Sequence, residues 1–143
     1  MARQMLHASC VALNGAGILI YGPPGSGKSL MALALIQDGF TLVADDCVVL
    51  DGAVATAPET IRGHLEVRGV GILAMQVVEN VPVRLSVLLG ARGERLPALE
   101  RDVVTGSVLL RLKGDDLGDM WRVKAAFGAC QGDYEWVVGA GKA

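Results

Sequence analysis

Residues Gly22-Pro23-Pro24-Gly25-Ser26-Gly27-Lys28-Ser29 fit the pattern G-x-x-x-x-G-K-[ST] without a mismatch. Glycines at this spacing let successive backbone N–H groups turn inward around an anion. A helix that starts directly after them adds unpaired N–H groups and the positive end of its dipole. Gly22 to Leu30 is therefore read as a nucleotide-phosphate cradle. Lys28 serves as a point charge on the phosphate oxygens, and the Ser29 hydroxyl is a ligand for a bridging Mg²⁺. Asp45 and Asp46 follow the apolar run Phe40–Ala44. An acidic residue at the end of such a strand, beside a phosphate loop, is placed to hold metal or to accept a proton from an attacking hydroxyl. Adjacent residues of a strand point to opposite faces, so both aspartates serve one site only if the strand ends there. Glu66 and Arg68 are two apart and share a face in a strand. As a bare surface ion pair they would be worth ~0–1 kcal/mol. His7, by its type alone, carries no role.

These groups need elements to place them. Val11–Leu13 and Gly17–Tyr21 read as strands joined by an Asn14-Gly15 hairpin turn, whose residues both tolerate positive φ. The second strand is continuously apolar and is expected to be buried on both faces. Leu30–Gln37 has the composition of a helix and ends at Asp38-Gly39. Phe40–Ala44, Cys47–Leu50, Ala53–Ala55, His64–Val67, Val83–Leu89 and part of Val103–Leu112 read as strands. Pro58 lies in a loop or short helix, and Ala91–Pro97 is turn-like. Asp115–Ala129 is expected to be a helix starting at Asp115 or Asp116, with Gly128 near its end. The closing VVGAGKA is expected to fray.

The 143 residues suggest one domain, 1–143, able to bury roughly 70% of its unfolded surface. A composition of 52% hydrophobic and 20% charged residues is globular rather than disordered. Aromatics are only 4%, so the core is expected to be mostly Leu, Val, Ile and Ala. A net charge of −2 with no basic stripe argues against a nucleic-acid partner. The absence of an 18-residue apolar run argues against a membrane span. The first ten residues do not read as a leader peptide. Cys10, Cys47 and Cys130 are widely spaced, form no CxxC pair, and suggest reduced thiols in the cytoplasm.

Taken together, the order MLHAS, phosphate loop, LVADD and HLEVRGVGIL resembles the catalytic domain of the HPr kinase/phosphorylase family over Met5–Leu73. In size it resembles the short alphaproteobacterial form. The loop departs from the larger family's pattern at Pro23-Pro24, and the match fades beyond Leu73. The resemblance implies an α/β fold: a P-loop domain with a mixed, twisted sheet like that of phosphoenolpyruvate carboxykinase. It implies a cytoplasmic, oligomeric, commonly hexameric enzyme that phosphorylates a serine of the phosphocarrier HPr, using ATP or pyrophosphate with Mg²⁺. The same enzyme would remove that phosphate by phosphorolysis. It casts His7, Lys28 and one aspartate of the pair as catalytic; Asp46 matches the proton acceptor, with the division between Asp45 and Asp46 left open. Ser29 and Glu66 match the metal ligands, and Arg95, in GERLP, matches a catalytic arginine. Two other readings stand beside it: a P-loop kinase or NTPase for another substrate, with the Arg92–Arg95 loop as its lid, and a non-catalytic nucleotide sensor.

Overall fold

A computed structural model describes residues 3–143; Met1 and Ala2, the start of the segment read as no leader, lie outside the described residues. The elements in chain order are β1 (Arg3–Leu6), β2 (Ser9–Leu13), β3 (Ala16–Tyr21), α1 (Lys28–Gln37), β4 (Thr41–Ala44), β5 (Val48–Asp51) and β6 (Val54–Thr56). They continue with β7 (His64–Val67), β8 (Gly71–Ala74), β9 (Val81–Leu89), β10 (Val108–Leu112) and α2 (Asp119–Cys130). The main sheet runs β1-β5-β6-β9-β3-β2-β4, with β10 added alongside β9. It is mixed: β3 and β10 are parallel to β9, and the other pairings are antiparallel. β7 and β8 form a separate hairpin. The expected mixed α/β architecture is therefore observed.

The alternation of β2 and β3 sorts the core into two layers. Val11, Ile18 and Ile20 face α1 and α2, where they meet Met31, Leu35, Val123 and Phe127. Cys10, Ala12 and Leu19 face the other way, onto Val43, Val48, Leu50, Val81 and Val83. A central strand buried on both faces reads as a continuous apolar run, as GILIY does. The turn before it has Asn14 at φ 52° and Gly15 at φ 78°, the left-handed pair that a two-residue hairpin requires. Phe40 and Phe127 meet edge to face at 5.3 Å and join the two helices' layers.

Two strands and the tail depart from the sequence reading. β1 was not anticipated; it is half of an antiparallel pair with β5, a non-local partner that no local pattern announces. β8 was likewise not anticipated: Gly71–Ala74 pairs with β7 through main-chain bonds that need no side-chain alternation. The tail does not fray as a whole: Ala140 is 4% exposed and belongs to the helix-side core, with Trp136 packed beside it.

A buried polar knot ties the loop before β10 to the sheet. Asp102 accepts hydrogen bonds from Tyr21 Oη (2.8 Å), Ser86 Oγ (2.6 Å) and the Val104 N–H (2.9 Å). Burial alone would raise the Asp102 pKa, but the bonds donated by Ser86, the Val104 amide and Tyr21 outweigh it and hold the carboxyl below its usual 3.8. Burial, and then the bond to this carboxylate, push the Tyr21 phenol upward, so it stays a donor. Because the folded-state value is depressed, Asp102 contributes stability that is present above the unfolded value and lost as pH falls through the folded one. Asp102→Asn is expected to cost about 1–3 kcal/mol at pH 7. It should also flatten the loss of stability between about pH 5 and pH 2, read by urea denaturation across that range.

Candidate functional site

The β3–loop–α1–β4 segment sets the site. β2 lies between β3 and β4 and is antiparallel to both, so β3 and β4 run the same way. Their carboxyl ends therefore open on one side, where α/β sheets bind ligands. Gly25 at φ 80° and Gly27 at φ 98° carry the loop through left-handed conformations. A Cβ on Gly22 would crowd Ser26 Cβ at 3.1 Å and Leu89 Cβ at 3.2 Å, so the loop closes most easily over a glycine there. No side chain caps α1. The first-turn amides of Lys28, Ser29 and Leu30 precede any helical acceptor and are free for an anion. Ser26 Oγ is buried without a partner, an orphaned donor inside the same loop. Lys28 is buried, and its ammonium donates to the Gly22 carbonyl at 2.8 Å and the Pro23 carbonyl at 3.3 Å. These features fit a phosphate group.

The paired aspartates separate into different environments. Asp45 is 5% exposed. Its Oδ1 accepts from Ser29 Oγ (2.7 Å) and Ser9 Oγ (2.8 Å), and its Oδ2 from the Glu66 N–H (3.2 Å). The chain then reverses: the Cys47 N–H donates to the Asp45 carbonyl at 2.7 Å, and Asp46 between them sits at φ 67°. That is a three-residue turn with a left-handed centre, a strained conformation that aspartate tolerates better than most residues. The strand thus ends at Ala44, which is the condition under which both aspartates can serve one site. Asp46 is exposed, and its Oδ1 lies 3.4 Å from His7 Nε2.

Glu66 projects from β7 on the face opposite buried Leu65 and Val67, and Arg68 follows in the turn after that strand. They close a cavity of about 430 Å³ with His7, Pro24, Gly25, Gly27, Lys28, Ser29, Leu30, Asp45 and Asp46. Gly22, Pro23 and Ser26 form the loop without lining this cavity; Pro23 instead backs onto Gly90, where a Cβ would come within 3.2 Å. A larger cavity of about 540 Å³, between α2 and the turn after β2, contains none of the motif residues. Among the described residues no three His, Cys, Asp or Glu side chains cluster as a metal cage. The oxygens of Ser29 and Glu66 instead suit Mg²⁺, which keeps waters and takes further oxygens from phosphates.

Arg95 does not join this group. It is exposed in the 91–100 loop and absent from the cavity lining. The physical reason is the loop's anchoring toward β10, through the Gly93 N–H to the Arg111 carbonyl (3.4 Å) and the Arg92–Asp116 ion pair. Ser9 was missed. It is fully buried at the start of β2 and donates to Asp45, while the Asp46 N–H approaches its hydroxyl at 3.4 Å. The available signal was a serine inside the otherwise apolar stretch ASCVAL.

Comparison with known proteins agrees with this geometry. A family model described as the HPr Serine kinase C-terminal domain matches residues 1–80. The chain belongs to this family. The HPr kinase/phosphorylase of Bacillus subtilis (strain 168) is 47% identical over 73 residues, covering 48% of this chain and 24% of the relative. That of Geobacillus kaustophilus (strain HTA426) is 45% identical over 78 residues, 51% of this chain and 25% of the relative. The matched part thus spans about a quarter of the length of these relatives. The solved structure of the Hpr(Ser) kinase/phosphatase from Coxiella burnetii superposes with a TM-score of 0.71 at 24% identity, over 92% of this chain and 99% of that one. It establishes the fold, including the half that the family model does not reach.

The two aspartates of this family member should separate in stability measurements. Asp45→Ala strands the buried Ser9 hydroxyl and two further donors, and is expected to cost about 1–3 kcal/mol or more. Asp46→Ala, at an exposed turn, should change stability by no more than about 0.5 kcal/mol in either direction. Urea denaturation of both variants at pH 7 checks the contrast.

Proposed function

We propose that residues 1–143 form one catalytic domain that transfers phosphate from ATP to a serine of the phosphocarrier HPr. The observation that carries this reading is the convergence of Lys28, Ser29, Asp45, Glu66 and the His7–Asp46 pair on one cavity beside an uncapped helix start. The family membership supports it, as do relatives named HPr kinase/phosphorylase.

The loop amides and Lys28 bind and orient the nucleotide's phosphates; the ammonium exchanges its loop carbonyls for phosphate oxygens. Ser29 and Glu66 hold Mg²⁺, with Asp45 fixing the Ser29 hydroxyl by its 2.7 Å bond. The metal, when bound, neutralises charge on the phosphate oxygens. Asp46 is assigned as the proton acceptor for the incoming serine hydroxyl, because it faces the cavity with its carboxylate free of strong donors, whereas Asp45 is saturated by three. His7, 3.4 Å from Asp46, orients that carboxylate and takes up or returns its proton. In the reverse direction a protonated Asp46 returns the proton to the serine oxygen as inorganic phosphate accepts the phosphoryl group. Pyrophosphate, which offers the same phosphate oxygens to the loop, is the second donor proposed.

The reading extends to a cytoplasmic homo-oligomer, with the hexamer as its proposed form. No helix among the described residues is long and apolar enough to cross a membrane. The β7–β8 hairpin leaves Val70 and Ile72 about 70% exposed, apolar surface of the kind that subunit contacts cover.

Incubation with HPr, ATP and Mg²⁺ is expected to add one phosphate to an HPr serine, read by mass spectrometry. Asp46→Asn should reduce transfer by at least ~100-fold while leaving nucleotide affinity within a few-fold, as removal of an acid–base group does. Label appearing on small metabolites but not on HPr would replace this reading with a kinase of another substrate; ATP binding without any transfer would replace it with a sensor.

A further inference from the structure

We propose that Asp119 is a positioning residue for the phosphate loop: through Gly114 it holds the back of that loop in the conformation that aims its amides at a ligand. This inference rests on the phosphate-loop reading above and concerns residues outside the matched region 1–80.

β9 and β10 run parallel and end together beside the loop. The Gly90 N–H bonds the Leu112 and Lys113 carbonyls, both at 3.1 Å, which brings the chain after β10 under the loop. The approach is close. A Cβ on Gly114 would lie 2.5 Å from the Ser26 carbonyl oxygen, and a Cβ on Gly27 would lie 3.3 Å from the Gly114 carbonyl oxygen. Gly114 has φ 102°, so its place depends on its being glycine and on what fixes its backbone. What fixes it is Asp119 Oδ2, which accepts the Gly114 N–H at 2.8 Å.

Asp119 sits in the first turn of α2, where a carboxylate is favourable simply because of the helix dipole. That explanation is insufficient here. α2 has no side-chain cap bond, and the carboxylate reaches back across five residues to Gly114 instead. The side chain is 2% exposed. Its second oxygen is taken by Arg122 Nη1 at 3.0 Å, which also lies 3.5 Å from Asp116. A buried carboxylate needs such partners to be tolerated at all. The result is a continuous strut from α2 through Asp119 and Gly114 to the carbonyl of Ser26, the residue whose peptide leads into the cavity-lining Gly27.

The test compares the wild-type chain with Asp119→Ala, Asp119→Asn and Gly114→Ala. Three readouts are used: thermal unfolding, amide hydrogen exchange over residues 25–29 without nucleotide, and ADP affinity by calorimetry. The expectation for Asp119→Ala is exchange several-fold faster at these amides and ADP binding weakened by roughly tenfold or more, because small misplacements of a preorganised site are costly. Asp119→Asn, which keeps an acceptor for Gly114, should recover most of both. Gly114→Ala should give the same pattern as Asp119→Ala, and it decides the matter if Asp119→Ala does not fold. A folded Asp119→Ala or Gly114→Ala protein with wild-type loop exchange and wild-type ADP affinity would overturn the proposal. Wild-type protein that does not bind ADP would instead sink the phosphate-loop reading, and the exchange measurement separates the two cases because it needs no ligand.

Discussion

One buried carboxylate organises the site. Asp45 receives Ser9 from β2, Ser29 from α1 and the Glu66 amide from β7, so three elements far apart in sequence are registered on two oxygen atoms. A buried carboxylate is tolerated only when its lone pairs are filled. Here the filling is done by groups of the cavity wall: the Ser29 hydroxyl and the strand that carries Glu66. Saturation has a second effect. Asp45 is thereby occupied by three donors, whereas Asp46 keeps its carboxylate open to solvent and to the cavity. The sharp turn at Asp46 makes the division possible, turning the second carboxylate to solvent and to His7 instead of into the opposite layer of the core.

Lys28 shows the complementary arrangement of positive charge. Its ammonium rests on the Gly22 and Pro23 carbonyls. A buried cation satisfied by neutral carbonyls is stable enough to persist, yet it gains much more from an anion. The lysine is therefore held at the loop's mouth without a fixed carboxylate partner that a phosphate would have to displace. Asp45, which lines the same cavity, is already occupied by hydroxyls and an amide.

How much of this was legible in the sequence depends on how local the cause is. The glycine-rich turn ahead of α1, the Asn14-Gly15 turn and the two-faced burial of β3 follow from residue types at fixed spacing, and all could be read directly. Only Glu66 of the Glu66–Arg68 pair lies on a strand: β7 ends at Val67, and Arg68 reaches the same cavity from the turn that follows. The division of labour between Asp45 and Asp46 could not be read, because it rests on a bond from Ser9, 36 residues away, and on a backbone reversal that either aspartate could have made. β1 escaped because its pairing partner β5 lies more than forty residues downstream. Arg95 was drawn into the site by resemblance alone, whereas its position is set by where Arg92 finds Asp116, a tertiary pairing with no local trace.

The boundary of detectable similarity at residue 80 then acquires a physical meaning. Every residue that lines the cavity lies before it. After it come β9, β10 and α2, which press on the loop from behind through Gly90, Leu89 and Gly114. Under the proposed function the front offers particular atoms to phosphate, metal and hydroxyl, so few sequences can build it. The back must offer shape and burial, which many combinations of apolar residues satisfy. Sequence likeness accordingly fades while the fold continues, as the overlay across 92% of the chain at 24% identity shows. In such a backing layer most positions are free to vary, and the exceptions are those where geometry demands one residue type: a glycine where two backbones touch, and a buried acid where an amide must be held in place.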